Sequence, residues 1–155
     1  MLTLTTTTIR QAQEIKLMGV ILDVNLQFSE HIKQICTKTS RRIGELCRLR
    51  NLIPTTAKLT IYKIAVMPHF SFCSLVWHFC KASDRRKLES INERGLRTVY
   101  MYNGCCASYD DLLRRAKMTT LYNRRLQDIA IFMFKIKHGM LSSSVTGLFN
   151  TSHKL

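Results

Sequence analysis

Apolar and polar residues along this chain change their period once. Up to Phe28 the pattern is that of strands and turns, and from Ser29 onward it is helical. Leu2-Thr3-Leu4-Thr5-Thr6-Thr7-Thr8-Ile9 is rich in β-branched residues. Glu14 to Leu22, which ends in the apolar run Val20-Ile21-Leu22, is suited to pair with it as a hairpin. Asp23-Val24-Asn25 reads as a turn. Ser29 is then the expected cap of a helix to about Arg50, with Ile32, Ile35, Cys36, Thr39, Ile43, Leu46 and Cys47 on one face. Lys38, Arg41 and Arg48 point the other way. Asn51-Leu52-Ile53-Pro54 ends that helix, and Thr55 or Thr56 caps the next.

The longest apolar run, Ile61 to Cys80, is interrupted by Lys63, Pro68, His69 and His78. It is too polar for a comfortable membrane span and reads as a buried helix kinked or restarted at Pro68. Ser83 is the expected cap of a further helix that buries Leu88, Ile91, Gly95 and Val99, with Arg86, Arg94 and Arg97 off that face. Asn103-Gly104 marks a turn. Ser108 opens a short helix to about Ala116. Thr119 or Thr120 opens a long one to His138, stopped by Gly139. The tail from residue 140 to residue 155 is expected to be loosely held. The pattern therefore predicts a mainly α fold, a helical bundle with a short N-terminal β-hairpin. Its divisions are 1–28 for the hairpin, 29–139 for the helices and 140–155 for the tail.

Composition narrows the class. The 155 residues are one domain's worth, long enough to bury roughly two-thirds of the unfolded surface. With 46% apolar residues the chain is expected to fold rather than stay disordered. The net charge is +14, with +4 each over 29–50 and 108–139, so the excess sits on helices and not in a basic arm. Such a field favours a polyanion partner, nucleic acid or anionic lipid. Four of the six cysteines, Cys36, Cys47, Cys73 and Cys80, fall in apolar helical stretches, where a free thiol packs as a small hydrophobe. Met1-Leu2-Thr3-Leu4 lacks the basic start and apolar core of a secretion signal, so an intracellular, reducing compartment is expected, with nucleus and cytoplasm left open and no membrane partner.

Candidate chemistry is sparse. Ser108-Tyr109-Asp110-Asp111 invites comparison with the paired carboxylates that hold two divalent metals in polymerases. The aromatic residue directly precedes the aspartates, however, and Leu112-Leu113-Arg114-Arg115 continues as helix. Ser108-x-x-Asp111 fits a helix start better. His69, Cys73, His78 and Cys80 have no zinc-site spacing, and Cys105-Cys106 is a poor chelating pair. No orienting group or oxyanion element supports a Cys–His nucleophile, and neither Gly19 nor Gly44 belongs to a phosphate-cradling loop. Trp77, Phe70, Phe72 and Phe79 are of a type that stacks bases, but in the most apolar stretch they read as core. The pairs Arg41-Arg42, Arg85-Arg86, Arg114-Arg115 and Arg124-Arg125 read as solvated faces or phosphate contacts.

Short motifs in order carry a family resemblance. Lys16-Leu17-Met18-Gly19-Val20-Ile21-Leu22-Asp23, continuing through Leu26, Phe28 and His31-Ile32, resembles the K-Y-L-G-V-x-L-D-x-x-L-x-F-x-x-H-I segment that follows the catalytic palm in reverse transcriptases of non-LTR (LINE-type), jockey-like retrotransposons. Ile43-Gly44-Glu45-Leu46-Cys47-Arg48-Leu49 is similar to x-x-G-x-L-x-R-L. Leu59, Tyr62, Val66, Pro68 and Val76-Trp77 resemble L-x-x-Y-x-x-x-V-x-P followed by V-W. Leu88 to Arg97 resembles L-E-x-I-Q-x-R-A-L-R, and Ser108 to Leu113 resembles S-Y-E-x-L-L. Leu121 to Arg125 is similar to S-L-x-x-R-R, and Phe134 to Gly139 to F-x-Y-K-I-x-x-G.

The resemblance implies a primer-grip region at Lys16 to Asp23, with Gly19 at its centre. It also implies thumb and post-thumb helices that hold an RNA–DNA hybrid or duplex through Lys16, Lys33, Lys38, Arg41, Arg42 and Arg48. The fingers, the first catalytic aspartate, the Asp-Asp box and the endonuclease domain have no counterpart here. The expectation is a truncated RNA-directed DNA polymerase with no catalytic residue and no metal ligand, Mg2+ being expected only of an intact polymerase. Its partners would be nucleic acid and the rest of a polymerase. The alternative is a helical protein-interaction module with no nucleic-acid role.

Overall fold

The computed structural model describes residues 12–49, 51–101 and 107–149. The hairpin closes on itself. β1 (Glu14–Leu17) and β2 (Val20–Asp23) run antiparallel, with Glu14 opposite Asp23 and Leu17 opposite Val20. The turn between them is Met18-Gly19, with φ of 46° and 88°. Two successive left-handed residues give the tight turn whose twist matches that of the strands. The expected partner of Glu14–Leu22 was Leu2–Ile9, which lies outside the described residues. The glycine instead folds that segment back on itself. Methionine seldom takes a positive φ, so the turn has no Asn-Gly signature to read. β2 buries Val20 and Ile21, whereas every residue of β1 is exposed.

Asp23 joins the hairpin to the first helix. Its carboxylate accepts the backbone N–H groups of Asn25 and Gln27, both at 3.0 Å, and of Phe28 at 2.6 Å. These bonds, that from Gln27 foremost, hold its pKa below the usual value. Phe28, at φ 59°, precedes α1 (Ser29–Arg48). Ser29 is thus the first helical residue and not the cap. Its hydroxyl donates to Asp84 at 3.0 Å, on a helix more distant in sequence.

α1 buries Ile32, Ile35, Thr39, Ile43 and Leu46 along one stripe, together with His31. α2 (Thr55–Ile61) is preceded by Pro54, so Thr55 is its first residue and neither threonine caps it. The chain then widens into a π turn, Tyr62–Val66, in which the Met67 N–H donates to the Tyr62 carbonyl. This lets α3 (Met67–Ser71) pass through Pro68, which has no N–H and whose ring crowds the carbonyl four residues back. The helix thus restarts at Met67-Pro68, and a further break follows at Phe72-Cys73, where Cys73 has φ 49°, before the short α4 (Ser74–Trp77). There the Trp77 indole N–H donates to the Phe72 carbonyl at 2.9 Å.

α5 (Ala82–Tyr100) has Lys81 at its cap position, two residues before the expected Ser83. It packs on α1, α2, α6 (Tyr109–Ala116) and α7 (Leu121–Lys137). Ser108 and Thr120 cap α6 and α7 as their positions predict, accepting from Asp111 and Asn123. α7 ends in paired bonds, Gly139 N–H to Ile136 and Met140 N–H to Lys135, with Gly139 at φ 62°. Where a loose tail was expected, Ser143–Phe149 form α8, whose first turn opens with Val145 N–H on the Ser142 carbonyl. The Asn103-Gly104 turn lies outside the described residues. Among the described residues no helix is long and apolar enough to cross a membrane.

At the centre, the Tyr62 ring lies directly on the backbone of α5. A Cβ on Gly95 would stand 2.5 Å from Tyr62 Cε2. The Tyr62 hydroxyl donates to Asn92 Oδ1 at 2.5 Å, Asn92 Nδ2 donates to the Tyr109 hydroxyl at 2.6 Å, and Tyr109 donates to Glu89 Oε2 at 2.6 Å. The other Glu89 oxygen accepts the Tyr122 N–H at 2.9 Å. Burial drives both phenols' pKa far upward, so they stay protonated and keep donating.

Two outcomes follow for chemical denaturation. Gly95→Ala costs about 1–3 kcal/mol through overpacking against Tyr62, whereas Gly44→Ala, with nothing within 4 Å, is neutral or stabilising by up to about 1 kcal/mol. Equal effects at the two sites would contradict the packing described. The Asp23 pKa is lowered on folding from 3.8, so its contribution is complete above that pH and is lost as pH falls toward the folded value. Melting temperatures against pH should therefore fall less steeply in acid for Asp23→Asn than for the parent chain.

Candidate nucleic-acid interface

Opposite its buried stripe, α1 carries a row of cations. Lys38, Arg41, Arg42 and Arg48 are exposed and recur at helical three- and four-residue spacing, so they share the outer face. Glu45 sits among them, 3.5 Å from Arg41 Nε and 2.8 Å from an Arg42 terminal nitrogen, and the Arg42 hydrogen bond is the main cause of its lowered pKa. The arginine side chains are 84% and 52% exposed, so these pairs hold little energy and leave the arginines available. Lys38 and Arg48 make no ion pair among the described residues. One carboxylate thus stands against four cations along this stripe.

The remaining candidates lie elsewhere. Lys33 precedes Lys38 by five residues, about 140° round the helix. It pairs with Glu30 at 3.2 Å and borders a cleft of about 410 Å³ between α1 and α5, beside Lys81 and Lys87. Lys16 is exposed on β1 opposite Ile21. Gly19 forms the hairpin turn, where an added Cβ would lie 3.3 Å from the Phe72 ring. The structure thus brings Lys38, Arg41, Arg42 and Arg48 together and sets Lys16, Gly19 and Lys33 apart from them.

A second feature meets the stripe at Lys38. Gly19, His31, Ile35, Lys38, His69 and Phe72 line a cleft of about 270 Å³ between the hairpin turn, α1 and α3. His31 is only 4% exposed. Its Nδ1 accepts the Ile21 N–H at 3.4 Å, which places the proton of the neutral ring on Nε2, and Nε2 has no partner among the described residues. Burial and then Lys38 lower the His31 pKa, while burial, Arg42 and Lys38 lower that of His69.

Other basic and polar residues serve the fold. Arg125, half of a pair expected to be solvated or phosphate-bound, is buried with its guanidinium 5.0 Å from the Trp77 ring centroid. Its four-residue spacing from buried Leu121 was the signal in the sequence. Arg85 lies 5.4 Å from the Tyr122 ring centroid. Lys63 donates to the last carbonyl of α6, that of Ala116, at 2.9 Å. Asp111 receives the Ser108 hydroxyl at 2.9 Å and Arg114 at 3.0 Å, so it belongs to a helix start. Among the described residues no three His, Cys, Asp or Glu side chains converge as a metal site. His78 stacks on Tyr122, and burial raises the Cys36 and Cys80 thiols. Trp77 and Phe70 are core as expected. Phe72 and Phe79 are not, being 51% and 87% exposed, because Phe72-Cys73 is the break in the helix and Phe79 follows the end of α4.

A stretch of 98 residues, 61% of the chain, is 28% identical to a probable RNA-directed DNA polymerase from transposon X-element of Drosophila melanogaster. Over that stretch the chain is related to a transposon reverse transcriptase. It spans 10% of that protein's length. No family model and no solved structure matches it.

Proton NMR titration checks the electrostatics of the cleft. Both histidines should titrate below 6.5, and Lys38→Ala should raise both midpoints. Midpoints indifferent to Lys38 would contradict the arrangement.

Proposed function

We propose that this chain is the primer-grip, thumb and post-thumb portion of a jockey-like non-LTR retrotransposon reverse transcriptase. Its own task is to hold the backbone of an RNA–DNA hybrid or duplex without reading its sequence. The observation that carries this reading is the outer face of α1, where Lys38, Arg41, Arg42 and Arg48 stand exposed on a helix whose opposite face is anchored in the core. Its relation to a transposon polymerase supports the assignment of that face to nucleic acid. Arginine's planar fork and lysine's point charge both suit phosphate, and a rigid helix presents them without an ordering cost. Lys16 and Lys33 stand apart from this surface, on β1 and beside the α1–α5 cleft. Copying chemistry, with its Mg2+, belongs in this reading to residues outside this chain.

A second surface favours a partner of another kind. The outer side of α7 exposes Ile131, Met133 and Phe134, each about half accessible, and β1 exposes Ile15 and Leu17. Such faces suit packing against the rest of a polymerase. In the alternative reading, a protein-interaction module, they are the whole function.

Gel shifts with an RNA–DNA hybrid test the proposal. Four phosphate contacts give a log–log salt slope of about −3 to −4, a loss of roughly 100-fold between 50 and 200 mM salt. Arg41→Ala and Arg48→Ala should each reduce the slope by about one. Binding that ignores salt, or a salt slope left unchanged by both substitutions, would sink the proposal. Co-purification with an intact polymerase that survives nuclease treatment would then favour the alternative.

A further inference from the structure

Of the described cavities, the cleft lined by Gly19, His31, Lys38, His69 and Phe72 has the chemistry of a specific ligand. It combines an ammonium with no ion pair among the described residues, a second imidazole, and a buried imidazole whose Nε2–H has no partner among the described residues. No carboxylate lines it. Buried polar atoms of this kind ordinarily have a partner, and a rim with an ammonium and no carboxylate among its lining residues suits an anion. At about 270 Å³ the cleft lies at or just below the lower end of small-molecule sites. That size suits one unit of a longer chain better than a free metabolite.

Phe72 adds the second half of the recognition. The break between α3 and α4 leaves its ring half exposed at the edge of the cleft, with one edge against the Gly19 turn. An exposed phenyl beside a cationic pocket is the pairing that single-stranded nucleic acids use, stacking for a base and charge for its phosphate. Gly19 permits this approach. Its φ of 88° suits glycine, and any side chain there would press on the Phe72 ring.

We infer that this cleft is a nucleotide-unit site, taking one backbone phosphate on Lys38 and His69, with the His31 ring in its wall and the adjoining base stacked on Phe72. This rests on the proposed nucleic-acid reading and adds to it a site for an unpaired nucleotide next to the stripe that holds the duplex. The stripe contacts phosphates alone. The cleft contacts a phosphate and a base together, so it serves a frayed or single-stranded end.

The experiment uses the full chain and two probes, a five-residue oligothymidylate and inorganic phosphate, followed through the histidine ring signals by NMR. The oligonucleotide should move the His31 and His69 signals and bind more tightly than phosphate. Phe72→Ala should weaken the oligonucleotide about tenfold and leave phosphate unchanged, and Phe72→Trp should restore it. His69→Ala should weaken both probes. Unchanged melting temperatures in these partly exposed variants show that folding is intact. Histidine signals that stay still at saturation, or equal binding by the parent and Phe72→Ala, would overturn the site. Salt-dependent hybrid binding retained in Phe72→Ala and His69→Ala, with oligothymidylate binding also unaffected, would overturn the cleft alone. Hybrid binding absent from the parent chain would overturn the stripe and the cleft together.

Discussion

Asn92 is a side-chain amide in the middle of α5 with no access to water, and the way it is satisfied ties the fold together. It accepts from Tyr62 on the π turn and donates to Tyr109 on α6, and Tyr109 passes the chain to Glu89, which accepts the backbone of α7. Each bond contributes about 0.5–1.5 kcal/mol net, and breaking one strands a buried polar group at about 1–3 kcal/mol. Gly95 is the steric condition for this arrangement, since only a missing side chain lets the Tyr62 ring reach Asn92 along the α5 backbone. With α5 so placed, α1 lies against it through Ser29–Asp84 at one end and Ser40–Arg94 further along. The outward direction of the α1 cations is therefore a consequence of buried chemistry on α5.

Charge is divided between two tasks. Arg125 under Trp77, Arg85 over Tyr122 and Lys63 on the end of α6 are spent within the fold, where rings and a helix dipole stabilise them. Along the outer stripe of α1, Lys38, Arg41, Arg42 and Arg48 meet a single carboxylate, Glu45, so this part of the chain's positive charge stays available. Self-repulsion along such a stripe destabilises the free protein and is relieved when a polyanion binds.

Much of this was legible in the sequence. The period-3.6 pattern located α1, α5, α6 and α7, and the caps Ser108, Thr120 and Gly139 stand where their residue types predicted. What could not be read has local physical causes. Ser29 looks like a cap until Asp23, six residues earlier, is seen to take the N–H groups ahead of the helix. Pro68 marks the restart that its type predicts, but the π turn ahead of it has no signature in the sequence. The hairpin turn hides behind a methionine at positive φ. For the candidate site, the stripe follows from helical spacing alone. The cleft does not, because His31, His69 and Phe72 come from α1, α3 and a loop, and their meeting depends on where the hairpin turn sits.

The account's central claim is that the outward face of α1 grips a nucleic-acid backbone by charge. Acetylation footprinting reads this directly, by the rate at which each exposed lysine reacts with and without an RNA–DNA hybrid. The account predicts strong protection of Lys38, weak or no protection of Lys137 on α7, and loss of the Lys38 protection as salt is raised. Protection centred on α7, or a Lys38 that reacts equally with and without the hybrid, would contradict it.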